Sequence, residues 1–212
     1  TVARLIAKIA NCETRKKDAK FAAQGEPCNE CSHCNEIDAG RAMDVIEIDA
    51  ASNRGIDDVR ALREGARVSP SSYDFKVFII DEMHMLTKDA SNALLKTLEE
   101  PPAHAIFILA TTELEKVLPT IASRCQRFHF KKLSIENIVT KLKTDVASEK
   151  IKITDDALEL IAASAEGSVR DAESLLGQIA SIAGNAGVEE VEKIIGKVGR
   201  ARTAEFSGLL LA

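Results

Sequence analysis

Short runs that predict strands mark the first 110 residues of the chain. Residues 75–80 and 105–110 are almost continuously apolar, and residues 44–49 mix apolar and acidic residues. Runs of this length that are apolar on both sides are typical of strands buried in a parallel sheet. Residues 127–130 form a shorter run, which we also interpret as a strand. The pattern therefore predicts a parallel sheet built from several short strands.

Apolar residues at helical spacing separate these runs. Residues 55–67 carry one apolar face, and a second helix with an apolar stripe over residues 90–98 is stopped by Pro101 and Pro102. Residues 2–9 show the same spacing with no capping residue before them, so we expect the chain to begin inside an element. Alternating strands and helices predict an α/β doubly wound domain.

Helical patterns replace the strands in the last third of the chain. Ser134 and Thr154 stand where helix N-caps belong, and Gly167 and residues 184–187 separate successive helical stretches. From Thr203 a further apolar helix begins and breaks off, so we expect this end to be cut as well. The pattern predicts a small, all-helical second domain.

Composition and charge limit the possible classes of protein. Hydrophobic residues make up 45% of the chain and charged residues 29%, which argues against disorder. With a formal net charge of -5, DNA binding would need a local basic surface or helix N-termini. No apolar run approaches the roughly 20 residues that span a bilayer, and the N-terminal residues do not resemble a signal peptide. We therefore expect a cytoplasmic protein.

Four of the five cysteines lie close together in one polar segment. They are Cys12, Cys28, Cys31 and Cys34. Residues 11–40 show no apolar period, so we expect a loop-built insertion without a core of its own. Four thiolates bind zinc tetrahedrally and supply the folding energy that such a loop lacks, which predicts a zinc site. Free surface cysteines and an iron–sulfur cluster are the alternatives, and His33 is expected to be exposed.

Asp81 and Glu82 follow directly after the predicted strand at residues 75–80. The carboxyl ends of parallel strands are where α/β folds bind ligands. One interpretation is a Walker B pair, in which Asp81 holds magnesium and Glu82 orients or deprotonates the attacking water; the other is a simple helix cap. Thr111 and Thr112 end the next strand and could hydrogen-bond a γ-phosphate or serve as an N-cap.

Two arginines and one strand-to-helix connection stay ambiguous on local sequence alone. Arg124 and Arg170, taken singly, are more typical of surface salt bridges. Residues 49–55 join a strand to a helix N-terminus with small residues and one arginine, which suits either phosphate binding by backbone amides or an ordinary capped helix start. No chemistry is assigned to His84 or Cys125.

Taken together, these segments resemble the gamma/tau subunits of bacterial DNA polymerase III, and their order and spacing match over essentially the whole chain. Besides the cysteines, the resemblance is carried by residues 1–12, 48–56, 80–86, 92–102, 110–112, 123–125 and 167–172. It implies an AAA+ ATPase within a five-membered clamp loader, part of the DNA-directed DNA polymerase complex. Such a loader opens the sliding clamp and places it on primer-template DNA.

The resemblance also implies a domain plan. It gives an AAA+ core over residues 1–132 with a zinc-binding insertion at about residues 12–34. A helical lid follows over residues 133–198. The start of a truncated, helical collar domain is expected over residues 199–212.

Particular residues acquire roles from the resemblance. The four cysteines become zinc ligands, and Asp81 and Glu82 become the Walker B pair. Thr112 or its neighbour Thr111 becomes sensor 1. Arg170 becomes sensor 2 in the lid, which acts on the ATP of its own subunit, and Arg124 becomes the arginine finger that reaches the ATP of the adjacent subunit. In related loaders the helix start after residues 52–55 follows DNA phosphates.

The chain departs from the family in one respect. The family's phosphate-binding sequence ends in Gly-Lys-Thr immediately before the position of Thr1, and this sequence holds no such motif. We therefore expect the 212 residues alone neither to bind ATP tightly nor to hydrolyse it, whereas a parent protein with the motif would do both. The alternatives are an ATPase-inactive, delta-prime-like scaffold subunit that donates an arginine finger, and a zinc-ribbon interaction module.

Overall fold

The computed structural model describes residues 1–182 and 186–196. They form two compact units, one of residues 1–128 and one that begins at His129. The helix expected from Thr203 lies outside the described residues, and so does the collar domain expected over residues 199–212. The domain limits drawn from the sequence stay a prediction.

A parallel sheet of three strands forms the centre of the first unit. The strands are β1 (Val45–Asp49), β2 (Lys76–Asp81) and β3 (Ala105–Leu109), in the order β1-β2-β3. Asp49 pairs in register with Asp81, so the two strands end at the same level of the sheet. These are the three runs that the apolar pattern predicted.

The first unit also contains seven α-helices and two turns of 3-10 helix among its described residues. The helices are α1 (Val2–Asn11), α2 (Glu13–Lys17), α3 (Ala19–Ala22), α4 (Ser32–Asp38), α5 (Ile56–Arg67), α6 (Lys88–Glu99) and α7 (Pro119–Ala122), and the 3-10 turns are Met83–Met85 and Leu114–Lys116. None of the helices in the described part of the chain is both long and apolar enough to cross a membrane.

The two faces of the sheet have separate cores because side chains alternate along β2. Phe78 and Ile80 are buried with the apolar residues of α5, α6 and α7. Val77 and Ile79 are buried on the other side with Ala7 of α1. Helices on both faces of a parallel sheet are the doubly wound arrangement that the sequence predicted.

The strand predicted at residues 127–130 is wrong. This segment has no regular secondary structure, and it takes part in none of the strand pairings within the described residues. Phe128 and Phe130 are each 70% exposed. A strand needs hydrogen bonds to a neighbouring strand, and the apolar pattern used for the prediction carries no information on whether such a neighbour exists.

The cysteine-rich segment is more regular than the loop predicted for residues 11–40. It contains α2, α3 and α4, of which the longest has seven residues. Two turns or less are too short to display an apolar period, so the sequence pattern missed them. Asp18 caps α3 by accepting from the amides of Lys20 and Phe21, at 2.8 and 3.2 Å.

The second unit is helical, as predicted. Its helices are α8 (Ile135–Glu149), α9 (Asp155–Ser164), α10 (Val169–Ile182) and α11 (Val188–Ile195). The predicted N-caps are confirmed: Ser134 accepts from the amide of Asn137 at 3.3 Å and Thr154 from that of Ala157 at 3.4 Å. Gly167 has φ +92°, a backbone conformation that is strained for a residue with a side chain. A Cβ atom at this position would also lie only 2.6 Å from Lys132 Cβ.

A buried carboxylate anchors the loop that leads into β2. Asp44 is 1% exposed and accepts hydrogen bonds from the backbone amides of Ser71, Ser72 and Tyr73, at 2.9 to 3.2 Å. Burial opposes ionisation, but these amide donors outweigh it and hold the pKa of Asp44 below its ordinary value. Ionised Asp44 therefore stabilises the folded state.

We expect Asp44→Asn to lower the free energy of unfolding by about 1–3 kcal/mol at pH 7, because an amide offers N–H groups to buried donors. The folded-state pKa lies below the unfolded one, so this contribution is present above the unfolded pKa and is lost as the pH falls through the folded pKa. Urea unfolding at pH 7 and at stepwise lower pH measures both effects.

Asp74→Asn is the matched control for that substitution. Asp74 lies in the same loop but is 47% exposed, and among the residues that the structure describes its side chain pairs only with Lys16. Its effect should stay within about 1 kcal/mol. Equal destabilisation by the two substitutions at pH 7 would contradict the anchoring role of Asp44.

Candidate functional site

The four clustered cysteines converge on one point. The sulfur atoms of Cys12, Cys28, Cys31 and Cys34 all lie within 4.8 Å of one another. Cys28 Sγ and Cys34 Sγ are 3.9 Å apart. Four sulfurs about 2.3 Å from a central zinc ion would be separated by roughly 3.8 Å, so the donor set and its spacing fit a tetrahedral metal site.

Hydrogen bonds favour the ionised form of one of these thiols, that of Cys28. Burial alone would raise the pKa of Cys28, but interactions with Thr14 and Cys12 and the amides of Glu30 and Cys31 lower it to about 6. The two amides lie 3.5 and 3.3 Å from Cys28 Sγ. Since metals bind the thiolate, N–H donors aimed at the sulfur favour metal binding.

A buried lysine ties this cluster to the first helix. Lys8 on α1 has a side chain only 7% exposed, and its Nζ lies 2.7 Å from Asn29 Oδ1 and 2.9 Å from an Asp38 oxygen. Asn29 lies between two of the cysteines and has φ +59°, which asparagine tolerates better than most residues. The turn that presents Cys28 and Cys31 is therefore fixed by α1.

His33 is not the exposed residue that the sequence suggested. Its side chain is 21% exposed. The ring lies 4.3 Å from that of Tyr73, and Nδ1 lies 2.8 Å from the carbonyl oxygen of Asn11. The ring therefore packs between the cysteine segment and the loop before β2.

A second group of side chains lies at the carboxyl end of the sheet. Asp81 is the last residue of β2, and its Oδ1 accepts from the amide of Glu82 at 3.0 Å. Glu82 has φ +47° and ψ +43°, a left-handed conformation that costs a non-glycine residue about 1–2 kcal/mol. The amide of Met83 donates to Ala110 O at 2.9 Å, which helps to hold Glu82 in this conformation. Strain of this kind is common where a side chain must point into a functional site.

The predicted sensor threonines contact the same group. Thr112 Oγ1 donates to Glu82 Oε2 at 3.1 Å, across 30 positions of sequence. Thr111 Oγ1 lies 2.9 Å from His84 Nδ1 and accepts from the amide of Glu113 at 3.0 Å. The ends of β2 and β3 therefore bring a carboxylate and a hydroxyl together.

His84 and Glu113 are the members of this group to which no chemistry was assigned from the sequence. The side chain of His84 is 7% exposed, with Nδ1 3.2 Å from Glu82 Oε2 and Nε2 3.3 Å from Glu113 Oε1. Glu113 also pairs with Lys116 at 2.6 Å, which lowers the pKa of its carboxyl group. The only sequence signal was the position of His84, two residues beyond Glu82.

Arg124 follows α7 and is held by two contacts. Its Nη1 donates to Thr120 O at 2.6 Å, and its Nη2 lies 2.6 Å from Glu99 Oε1. Arg170 lies in the first turn of α10, in the second unit, with an exposed side chain. The structure therefore gives Arg124 a fixed environment and leaves Arg170 open to solvent.

The connection at residues 49–55 is an ordinary capped helix start rather than a phosphate cradle. Asp49 Oδ1 accepts from the amide of Ala51 at 2.8 Å, and Asp58 accepts from the amide of Gly55 at 3.1 Å. Asp57 and Asp58 place two carboxylates in the first turn of α5. Negative charge at this helix end opposes phosphate binding.

Two family models match consecutive parts of the chain. Residues 1–134 match the family described as DNA polymerase III, delta subunit. Residues 137–185 match the DNA polymerase III clamp loader subunit, ATPase lid domain. The chain belongs to the family of DNA polymerase III clamp-loader subunits. The resemblance identified from the sequence motifs is thereby confirmed.

Relatives in this family cover nearly the whole chain. It is 49% identical over 199 residues to DNA polymerase III subunit tau of Bacillus subtilis, which is 93% of this chain and 34% of that protein. It is 46% identical over 197 residues to the tau subunit of Escherichia coli, which is 92% of this chain and 30% of that one. The chain thus spans about a third of these clamp-loader relatives.

Solved structures support the fold. The Holliday junction branch migration motor RuvB of Thermotoga maritima superimposes with a TM-score of 0.60 at 19% identity, covering 76% of this chain and 54% of that one. At this identity the likeness concerns the fold alone. Together with the lid family, it confirms the predicted AAA+ architecture of a parallel-sheet domain followed by a helical lid.

Proposed function

We propose that this chain is the ATPase part of a bacterial replicative clamp-loader subunit, which uses ATP binding and hydrolysis to load the sliding clamp onto primed DNA. The observation that carries the proposal is the contact between Glu82 and Thr112 at the carboxyl end of the sheet, 3.1 Å between Oε2 and Oγ1. A base and a hydroxyl that meet there suit an attacking water and a γ-phosphate.

Each polar side chain of this group has a proposed role. Asp81 would hold magnesium, which neutralises phosphate charge when bound, and Glu82 accepts the proton of the attacking water. Thr112 senses the γ-phosphate through its hydroxyl group. Thr111 supports this group indirectly, through its contact with His84. Arg170 acts on the ATP of its own subunit.

Arg124 acts on a different nucleotide. As an arginine finger it would contact the ATP held by the adjacent subunit and stabilise charge that develops in the transition state. The proposed partners are therefore the other subunits of a hetero-pentameric loader, the sliding clamp and primer-template DNA, all in the cytoplasm.

The four cysteines have a structural role in this proposal. We propose that they bind zinc, because four sulfurs at this spacing suit its tetrahedral geometry and leave no open position for a reacting water. The metal would replace the hydrophobic core that the short helices α2 and α3 lack, since neither contains a buried residue.

The 212 residues alone are not expected to hydrolyse ATP, since their sequence contains no Gly-Lys-Thr. The backbone amides and lysine of that motif hold the phosphates in this class of site. Hydrolysis is therefore proposed for a protein in which the family's phosphate-binding sequence precedes Thr1.

The test uses such a longer subunit, assembled with its loader partners. We expect steady-state ATP hydrolysis that rises when clamp and primed DNA are added together, with the 212-residue chain inactive in the same assay. A longer subunit that binds no ATP would instead favour the ATPase-inactive scaffold. The match of residues 1–134 to a family described as the delta subunit keeps that candidate open.

A further inference from the structure

Arg124 is restrained by two different elements of its own subunit. Glu99, the last residue of α6, lies 2.6 Å from Nη2, and the carbonyl oxygen of Thr120, in α7, accepts from Nη1 at 2.6 Å. Arginine otherwise retains considerable side-chain freedom, which is costly to remove at the moment of reaction. Two contacts on two nitrogens fix the direction of the guanidinium before any nucleotide binds.

This restraint contributes little to folding. The side chains of Arg124 and Glu99 are 34% and 47% exposed, and ion pairs at such positions contribute little to stability. Substitution of Glu99 removes no core contact, because the residue ends α6 with its side chain in solvent. The effect of the pair therefore concerns the direction of Arg124 rather than the stability of the domain.

These contacts also leave part of the guanidinium group free to bind an anion. Nη1 is used by Thr120 and weakly by Ser123, Nη2 is used by Glu99, and Nε has no acceptor within the residues that the structure describes. A phosphate oxygen can therefore approach the Nε side while Glu99 stays in place. The carboxylate need not be displaced for Arg124 to bind an anion.

We propose that Glu99, together with the carbonyl group of Thr120, is the positioning residue that aims Arg124 at the nucleotide of the adjacent subunit. The inference rests on the proposed function, since it requires Arg124 to act as the arginine finger. Glu99 itself touches no reacting atom. Its contribution is to set the orientation of Arg124 in advance, so that less ordering is needed in the transition state.

The test replaces Glu99 in the longer subunit and measures ATP hydrolysis by the assembled loader with clamp and primed DNA. We expect Glu99→Ala to lower kcat about tenfold and to leave the KM for ATP unchanged, because orientation matters most in the transition state. Glu99→Gln keeps an oxygen acceptor for Nη2 and should retain more activity than the alanine variant. The melting temperature and the assembly of the loader should not change.

Glu100→Ala is the matched control, since Glu100 is the next carboxylate along the chain and is exposed. It should hydrolyse ATP at the wild-type rate. In the double variant Glu99→Ala with Arg124→Ala, the rate should equal that of Arg124→Ala alone, because Glu99 acts through Arg124.

The outcomes separate this inference from the proposed function. If Arg124→Ala hydrolyses ATP at the wild-type rate, the finger role fails and the inference falls with it. If Arg124→Ala is inactive while Glu99→Ala matches or exceeds the wild type, the finger role stands and only the positioning role is overturned. A rise in rate would mean that Glu99 restrains the finger instead of aiming it.

Discussion

Replacing Glu82 by Gln is expected to lower ATP hydrolysis by the assembled loader about 10²- to 10⁴-fold, the usual contribution of a general base. Gln keeps the shape of the side chain and an oxygen for the hydroxyl of Thr112, 3.1 Å away in the wild type, but it cannot take up a proton. ATP binding should persist because Asp81 is unchanged. Steady-state hydrolysis with clamp and primed DNA, together with nucleotide binding at equilibrium, measures both effects.

A nearby carboxylate serves as the control for Glu82. Glu115 is an exposed residue of the 3-10 turn after β3, so Glu115→Gln should hydrolyse ATP at the wild-type rate. A Glu82→Gln loader that still turns over at more than about a tenth of the wild-type rate would contradict the role of Glu82 as base.

The local sequence predicted the sheet well because each strand carries its own signal. Within Lys76–Asp81 the four central residues are all apolar, and their burial on both faces of the sheet explains that composition. Residues 127–130 lacked the other requirement for a strand, a neighbour to pair with. That requirement depends on residues distant in the sequence, which the apolar pattern does not record.

The candidate site was predictable to the extent that its residues follow strand ends. Asp81 and Thr112 were each expected at the carboxyl end of a strand, and β2 and β3 are parallel neighbours in the structure. The contacts of His84 with Thr111 and Glu113 could not be expected, since they span 27 and 29 positions and depend on the left-handed turn at Glu82. An unusual backbone angle on a glutamate has no signature in the sequence.

The cysteine cluster, too, was only partly predictable from the sequence. The spacing of Cys28, Cys31 and Cys34 is a local metal-binding signal, and Cys12 joined them in the prediction as the remaining nearby thiol. Lys8 of α1, four residues before Cys12, holds Asn29 in the turn between Cys28 and Cys31. Contacts of that kind between distant segments are decided by packing and could not be predicted from spacing.

Metal removal should have the other large effect on this chain. Zinc contributes roughly 10–16 kcal/mol to the folding of small four-ligand sites, and α2 and α3 contain no buried residue that could replace it. We expect the purified chain to hold about one zinc ion, and Cys31→Ser to hold less than half as much under reducing conditions. Elemental analysis after desalting measures both. Less than about half an equivalent in the wild type would count against four thiolate ligands.

Cys125→Ser is the control for that measurement, because Cys125 is the one cysteine outside the cluster. It should keep the full metal content. Trypsin gives an independent readout, since Arg15, Lys16 and Lys20 lie on the helices that the metal is proposed to order. Chelation should expose these sites to cleavage while β2 and its surrounding core stay protected, because that core is formed by apolar contacts that need no metal. Cleavage at the same rate with and without chelator would mean that the segment folds without a metal ion.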